Sequence, residues 1–114
     1  MNNNITSSKK LSSVQDGLRS LQVVVKSMED AGITVLTARA EDKNRAEILF
    51  TDDYALFNRW ATGLHLTVRI DRIGGVFHDW RISTNYNGVE ISSYMKDRDK
   101  EVYDREITNA AKEA

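Results

Sequence analysis

The stretch LHLTVRIDRIGGVFHDWRISTNYNGVEISSYM, residues 64–95, decides the fold, because it combines two turn signals with alternating apolar and polar side chains. Asn87-Gly88 is typical of a type I′ hairpin turn, in which both central residues need a positive φ. A two-residue loop there sets Thr84 opposite Ile91. This register gives the predicted hairpin one apolar face and one polar face.

A further strand is predicted before this hairpin, over residues 64–71, where apolar and polar residues alternate without exception. Two adjacent glycines follow and mark its turn. A loop of even length would mix the apolar and polar faces, so we predict the three-residue loop 73–75, with Gly75 in the left-handed conformation. This loop sets Val68 opposite Trp80 inside the protein.

The same register places Arg69 opposite Asp79 on the outer face. It turns His78 inward and His65 outward. These are the only histidines of a chain without cysteine, and on opposite faces they cannot share a metal ion. His78 and Asp79 are neighbours in a strand, so they point apart and cannot form an oriented acid–base pair. We therefore expect no catalytic, cofactor-binding or metal-binding residues.

Composition indicates one soluble domain. The 114 residues are 40% apolar and 29% charged, with 16 Lys and Arg against 17 Asp and Glu. A net charge of −1 argues against nonspecific binding to polyanions, the lack of cysteine excludes a disulfide framework, and no apolar stretch is long enough to span a membrane. We expect a cytoplasmic protein with a disordered tail at residues 1–8 and a single domain over residues 9–114.

An N-terminal helix is predicted from apolar residues spaced three and four apart, namely Leu11, Val14, Leu18, Leu21, Val25 and Met28. Ser8 or Ser12 can cap its start, and Gly32 can end it. The same spacing satisfies a heptad, so two arrangements stay open. We favour a monomer whose helix lies across its own sheet, and the alternative is a homodimer joined through this helix.

Two strands at residues 33–40 and 46–51 are predicted to form a hairpin through the five-residue loop 41–45. This loop length sets Leu36 opposite Phe50 on the apolar face. The hairpin thereby contributes a second pair of strands to the predicted sheet.

Two further helices complete the predicted chain. Asp52 or Asp53 can cap a short helix that ends at Gly63, and we favour this role over a divalent-cation site because no further acidic ligands accompany the pair. A charged helix follows over residues 96–113, with a narrow apolar stripe around Tyr103. Such a weakly apolar helix can fray or can dock on a partner.

Together these elements predict an α+β fold in the order helix, two strands, short helix, three strands, helix. The sheet is expected to be mainly antiparallel, with about five strands and with the helices packed on one face. The other face of the sheet then stays open. In the predicted registers the open face carries Arg39, Glu47, His65, Thr67, Arg69, Asp71, Asp79, Arg81, Ser83, Glu90, Ser92 and Tyr94.

Among the function classes that fit this sequence, we favour a small non-enzymatic protein-binding module that acts through the open face. An inhibitor, immunity factor or adaptor of the kind that mobile genetic elements encode would have this character. The partner, another protein, is expected to contact Arg69, Arg81, Tyr94 and His65, because arginine and tyrosine are enriched among binding hot spots.

Two alternatives stay open. A nucleic-acid-binding protein would use the same local patch of arginine and tyrosine, extended by Arg72. A small enzyme or ligand carrier would use a pocket between Trp60, Trp80 and His78.

Overall fold

The computed structural model describes residues 13–41, 45–51 and 53–113. The predicted tail at residues 1–8 and the helix caps predicted at Ser8, Ser12 and Asp52 lie outside the described residues. Along the chain the elements are α1 (Val14–Asp30), β1 (Thr34–Glu41), β2 (Arg45–Thr51), α2 (Tyr54–Gly63), β3 (Arg69–Arg72), β4 (Trp80–Tyr86), β5 (Val89–Met95) and α3 (Asp97–Glu113).

The fold is α+β, as the sequence predicts, but its sheet is mixed. The strand order is β1-β2-β5-β4-β3. Strand β2 runs parallel to β5, with Ala46 beside Val89 and Ile48 beside Ile91, while the other neighbouring strands are antiparallel. The sheet that was predicted to be mainly antiparallel therefore contains one parallel pair, β2 with β5. Strands that follow each other in sequence usually become neighbours, so local patterns do not reveal a pairing between the second and the last strand.

The hairpin of β4 and β5 has the predicted register, and Thr84 lies opposite Ile91. The turn residues Asn87 and Gly88 have φ values of 56° and 81°. These values are the left-handed pair that a type I′ turn requires. The chemistry of two turn residues therefore sets the pairing of both strands.

Strand β3 is shorter than predicted and begins only at Arg69, because the hydrogen bonds that end α2 extend as far as Leu66. His65 adopts a φ of 60° after the helix. Leu66 donates its N–H to the carbonyl of Ala61 at 2.9 Å, which closes the last turn of the helix. The alternation that predicts a strand before Arg69 belongs to this helix end and to the segment that follows it.

The predicted pairs Val68 with Trp80 and Arg69 with Asp79 are wrong. Trp80 lies opposite Arg72, which is displaced from Val68 by four positions along the chain. Side chains alternate along a strand with a period of two, so an even displacement leaves every side chain of β3 on its predicted face. The faces of the sheet are therefore predictable even where the register is not.

The connection between β3 and β4 spans residues 73–79 and is longer than the predicted three-residue loop. Gly74 is the residue in the left-handed conformation, with a φ of 60°, instead of the predicted Gly75. Gly75 is needed for a different reason. A Cβ at this position would lie 2.5 Å from the carbonyl oxygen of His78, so the loop could not close as it does.

Strands β1 and β2 pair as predicted around Arg39 and Glu47 but contain a bulge farther along. Val35, instead of the predicted Leu36, lies opposite Phe50, and Leu36 is the exposed extra residue. A bulge inserts one residue and reverses the facing of those beyond it. It turns Val35 toward the core, where it packs against the buried side chains.

The helices cover one face of the sheet. Helix α1 begins at Val14 and is capped by Ser13, whose hydroxyl accepts the N–H of Asp16 at 3.1 Å. It lies on β1, β2 and β5 and buries Leu21 and Met28 against them. Leu18, from the predicted apolar stripe, is half-exposed, so only part of the stripe packs on the sheet.

Side-chain hydrogen bonds join the helices. Asp53 caps α2, as predicted, by accepting a backbone N–H. Trp60 of α2 donates to the hydroxyl of Ser27 in α1 at 3.0 Å, and Tyr103 of α3 donates to Asn58 of α2 at 3.0 Å. In the part of the chain that the structure describes, no helix is long and apolar enough to cross a membrane.

Candidate functional site on the open face of the sheet

The open face, which is the side of the sheet opposite the helices, carries a network of ion pairs across four strands. Glu47 lies 3.2 Å from Arg39 and 3.1 Å from Arg45. Glu90 lies 3.4 Å from Arg81 and 3.9 Å from Arg45. The network runs from β1 to β4 and restrains the long side chains that form this surface.

Two shallow hollows lie on the open face, with volumes of about 240 Å³ and about 170 Å³. Arg81 and Glu90 line both of them. Between the long side chains, the buried residues Ser83 and Ser92 lie opposite each other on β4 and β5. These small residues leave the centre of the face as a polar depression.

The predicted partner-binding residues come together on this surface. His65, Arg69 and Arg81 line the larger hollow, and Tyr94 lines the adjoining smaller one. The carboxylate near Arg69 is that of Asp71, at 3.8 Å, and not that of the residue predicted from a shorter loop. The four residues thus belong to one continuous face, although their neighbours differ from those predicted.

His78 was expected to point into the core. Instead it lies in the loop of residues 73–79. The centroid of its ring is 6.2 Å from that of Tyr94 on the open face. Since His65 lines a hollow on this same face, the predicted placement of the two histidines on opposite faces is wrong. Among the described residues, no group of three or more His, Cys, Asp or Glu side chains is positioned to hold a metal ion.

Residues 73–79 form a loop with an exposed apolar tip, called the apolar loop below. Val76 is 92% exposed and Phe77 is 78% exposed. The N–H of Ile73 donates to the carbonyl of Asp79 at 2.8 Å and closes the base of the loop. The sequence did not predict this tip, because the predicted three-residue loop places Val76 and Phe77 in a strand. Two consecutive large apolar residues break the alternation of that strand, and this break is the signal that could have revealed the tip.

The two tryptophans do not form the pocket that an enzyme or a ligand carrier would use. The ring of Trp60 lies 6.0 Å from that of Tyr86, at the end of β4. Trp80 begins β4 and donates its indole N–H to Asp97 at 2.8 Å. The six residue steps from Trp80 to Tyr86 span about 20 Å of strand, so the two indoles lie at opposite ends of the sheet.

Arg72 is separated from the other arginines of the predicted nucleic-acid patch. Its guanidinium lies 5.5 Å from the centre of the Trp80 ring, and the two residues pair on the helix-covered side of the sheet. Arg69 and Arg81 remain on the open face, where carboxylates accompany both of them. The sheet therefore divides the patch between its two faces.

No protein-family model matches the chain, and searches of curated proteins and of solved structures gave no match.

Proposed function

We propose that the chain is a small protein-binding module of the inhibitor, immunity or adaptor type, without enzymatic activity. It binds its partner protein through the open face of the sheet together with the apolar loop. We place its action in the cytoplasm, because a chain without cysteine does not depend on an oxidising compartment.

The observation that carries this proposal is the exposure of Val76 and Phe77 at the tip of the apolar loop. Large apolar side chains that protrude together from a surface mark sites of interaction. The loop is short, its base is closed by a backbone hydrogen bond, and Gly75 has no room for a side chain. These contacts restrain the base of the loop, and a restrained loop loses less entropy when a partner binds.

The open face supplies the polar part of the same surface. His78 of the apolar loop lies against Tyr94, and Arg81 is the residue opposite Tyr94 on the next strand. An apolar anchor next to arginine and tyrosine is the usual composition of a binding hot spot. Charges of both signs alternate over this face, which suits the mixed surface of a protein better than a polyanion.

Photo-crosslinking tests this proposal. The crosslinking residue p-benzoylphenylalanine replaces Phe77 in one variant and replaces Val23, which is 55% exposed on α1, in a control variant. In a nuclease-treated lysate of the source organism, we expect a discrete crosslinked protein from position 77 and none from position 23. Crosslinking that is equal at both positions would contradict the proposal.

Substitutions then measure how much the apolar loop contributes. Phe77→Ser is expected to weaken binding of the captured protein by about 30-fold, the loss of about 2 kcal/mol that defines a hot spot. Val23→Ser should leave the affinity unchanged. Capture that disappears after nuclease treatment would instead favour a nucleic-acid-binding protein.

A further inference from the structure

The larger hollow on the open face collects hydrogen-bond donors from three segments of the chain, namely the connection between α2 and β3, strand β3 and strand β4. Arg69 of β3 and Arg81 of β4 line it with two guanidinium groups, and His65 adds an imidazole. Thr67 and Ser83 add hydroxyl groups, and Ser83 is only 5% exposed. Guanidinium, imidazole and hydroxyl groups can all donate hydrogen bonds, so the hollow is suited to a ligand that accepts several of them.

The two arginines are placed to contact one ligand. Arg69 lies opposite Ser83, and Arg81 lies opposite Asp71, so the arginines are diagonal neighbours on adjacent strands. Diagonal positions on one face are about 7–8 Å apart, a separation that long side chains bridge. Both guanidinium groups can therefore reach a single ion above Ser83.

Neither guanidinium is saturated by the carboxylates around it. Arg69 lies 3.8 Å from Asp71, and Arg81 lies 3.4 Å from Glu90, which also lines the hollow. Both separations exceed the roughly 2.7–2.9 Å of a strong charge-assisted hydrogen bond. Glu90 also lies 3.9 Å from Arg45, so two guanidinium groups share its single charge. N–H donors of both guanidinium groups are therefore left for a further anion.

His65 occupies a backbone position that favours glycine. Its φ is 60°, and its N–H donates to the carbonyl of Thr62 at 3.0 Å where α2 ends. Glycine is common at this position because a Cβ is strained in the left-handed conformation. The chain instead places a histidine there, and this residue lines the hollow. Strained residues of this kind cluster at functional sites.

We infer that the hollow lined by His65, Arg69, Arg81 and Ser83 binds one tetrahedral oxyanion of the phosphate class. The source of this oxyanion is either the free ion or the phosphate group of a phosphorylated side chain. Two guanidinium groups provide the charge, and their planar N–H donors match the oxygens of such an ion in pairs.

A titration of the full chain with inorganic phosphate at constant ionic strength tests this site. By NMR we expect saturable, one-to-one shifts of the amide signals of Thr67 and Ser83. Arg69→Ala should lower the affinity at least tenfold. Arg59→Ala removes the same charge from the exposed surface of α2 and should leave the affinity unchanged. Shifts that never saturate, or an equal loss in both variants, would overturn the inference.

Two further measurements separate a binding role of His65 from a structural one. His65→Gly should raise the melting temperature by a few degrees, because strain is removed, and should also weaken phosphate binding. A higher melting temperature with unchanged affinity would show that the imidazole does not take part in phosphate binding.

Phosphoserine is a second probe, and it identifies the source of the oxyanion. Tighter binding than that of inorganic phosphate indicates a phosphorylated side chain, and equal or weaker binding indicates the free ion. Neither probe depends on crosslinking at position 77, so the two proposals stand or fall separately.

Discussion

At the scale of single residues, two aromatic side chains differ in how deeply they are buried. Phe57 is fully buried and stacks on Phe50, with ring centroids 4.2 Å apart. Trp80, which the predicted register places inside the protein, is only half-buried. Its ring lies between the charged groups of Arg72 and Lys100, at 5.5 Å and 4.6 Å. The centre of the core is therefore the phenylalanine pair rather than the tryptophan.

We expect Phe57→Ala to lower the free energy of unfolding by about 3–5 kcal/mol, as for other buried aromatic truncations. Trp80→Ala should cost about 2–3 kcal/mol, because part of this side chain already contacts water and its loss leaves no closed cavity. Urea titrations of the two variants and the wild type measure both values. If Trp80→Ala lost more free energy of unfolding than Phe57→Ala, the centre of the core would be Trp80 and not the phenylalanine pair.

At the scale of elements, the type I′ turn between β4 and β5 depends on its glycine. Gly88→Ala should destabilise the protein by about 1–2 kcal/mol, because a Cβ is strained at a φ of 81°. Gly63 is the matched control, since it lies in α2 and a Cβ added there would meet no described atom within 4 Å. Gly63→Ala should stabilise by about 0.4–1 kcal/mol. Thermal melts of both variants measure the two effects. Shifts of the melting temperature in the same direction would contradict a specific need for glycine in the turn.

Helix α3 docks through a buried phenol. Burial, and then the charge of Asp104, raises the pKa of Tyr103 above its ordinary value of 10.0. When the pH rises above 10, the phenol of the unfolded chain ionises first. The contribution of Tyr103 to stability is therefore complete below pH 10 and decreases above it.

We expect Tyr103→Phe to flatten the decrease of the free energy of unfolding above pH 10. At neutral pH the same variant should cost about 0.5–1.5 kcal/mol, because the hydrogen bond to Asn58 is lost. Denaturant titrations of wild type and variant at pH 7 and at alkaline pH measure both effects. Parallel alkaline profiles would show that the phenol of Tyr103 ionises alike in the folded and unfolded chains.

The sequence predicts those elements whose cause is local. The β4–β5 register depends on Asn87 and Gly88, and α2 depends on its cap Asp53, so both are predictable. The start of β3 is not, because the hydrogen bonds that end α2 at His65 override the alternation beyond it. On the open face, the grouping of Arg69 with Arg81 is predictable, since an even register error preserves the faces of the two strands. His65 joins them from the end of α2, which the strand pattern does not reveal. The exposed tip of the apolar loop cannot be predicted unless the length of the loop is known.

At the scale of the whole molecule, the last strand in sequence lies in the middle of the sheet. Strand β5 has neighbours on both sides, whereas β1 and the four-residue β3 form the edges. Backbone amides of central strands open only with the core, while those at edges open locally. We expect hydrogen exchange to be at least tenfold slower at Ile91 than at Ile70, measured by NMR. Similar rates at the two amides would mean that the sheet opens as one unit.

The parallel pairing of β2 with β5 also determines when the protein can fold during its synthesis. The ribosome releases β2 early, yet the strand that covers the inner edge of β2 is complete only when residue 95 has been added. Until then Ile48 and Phe50 belong to a hairpin with one unpaired edge, which is a template for association with other nascent chains. Folding therefore follows translation of nearly all of these elements, and we expect a chain that ends before β5 to aggregate rather than to fold into a smaller working protein.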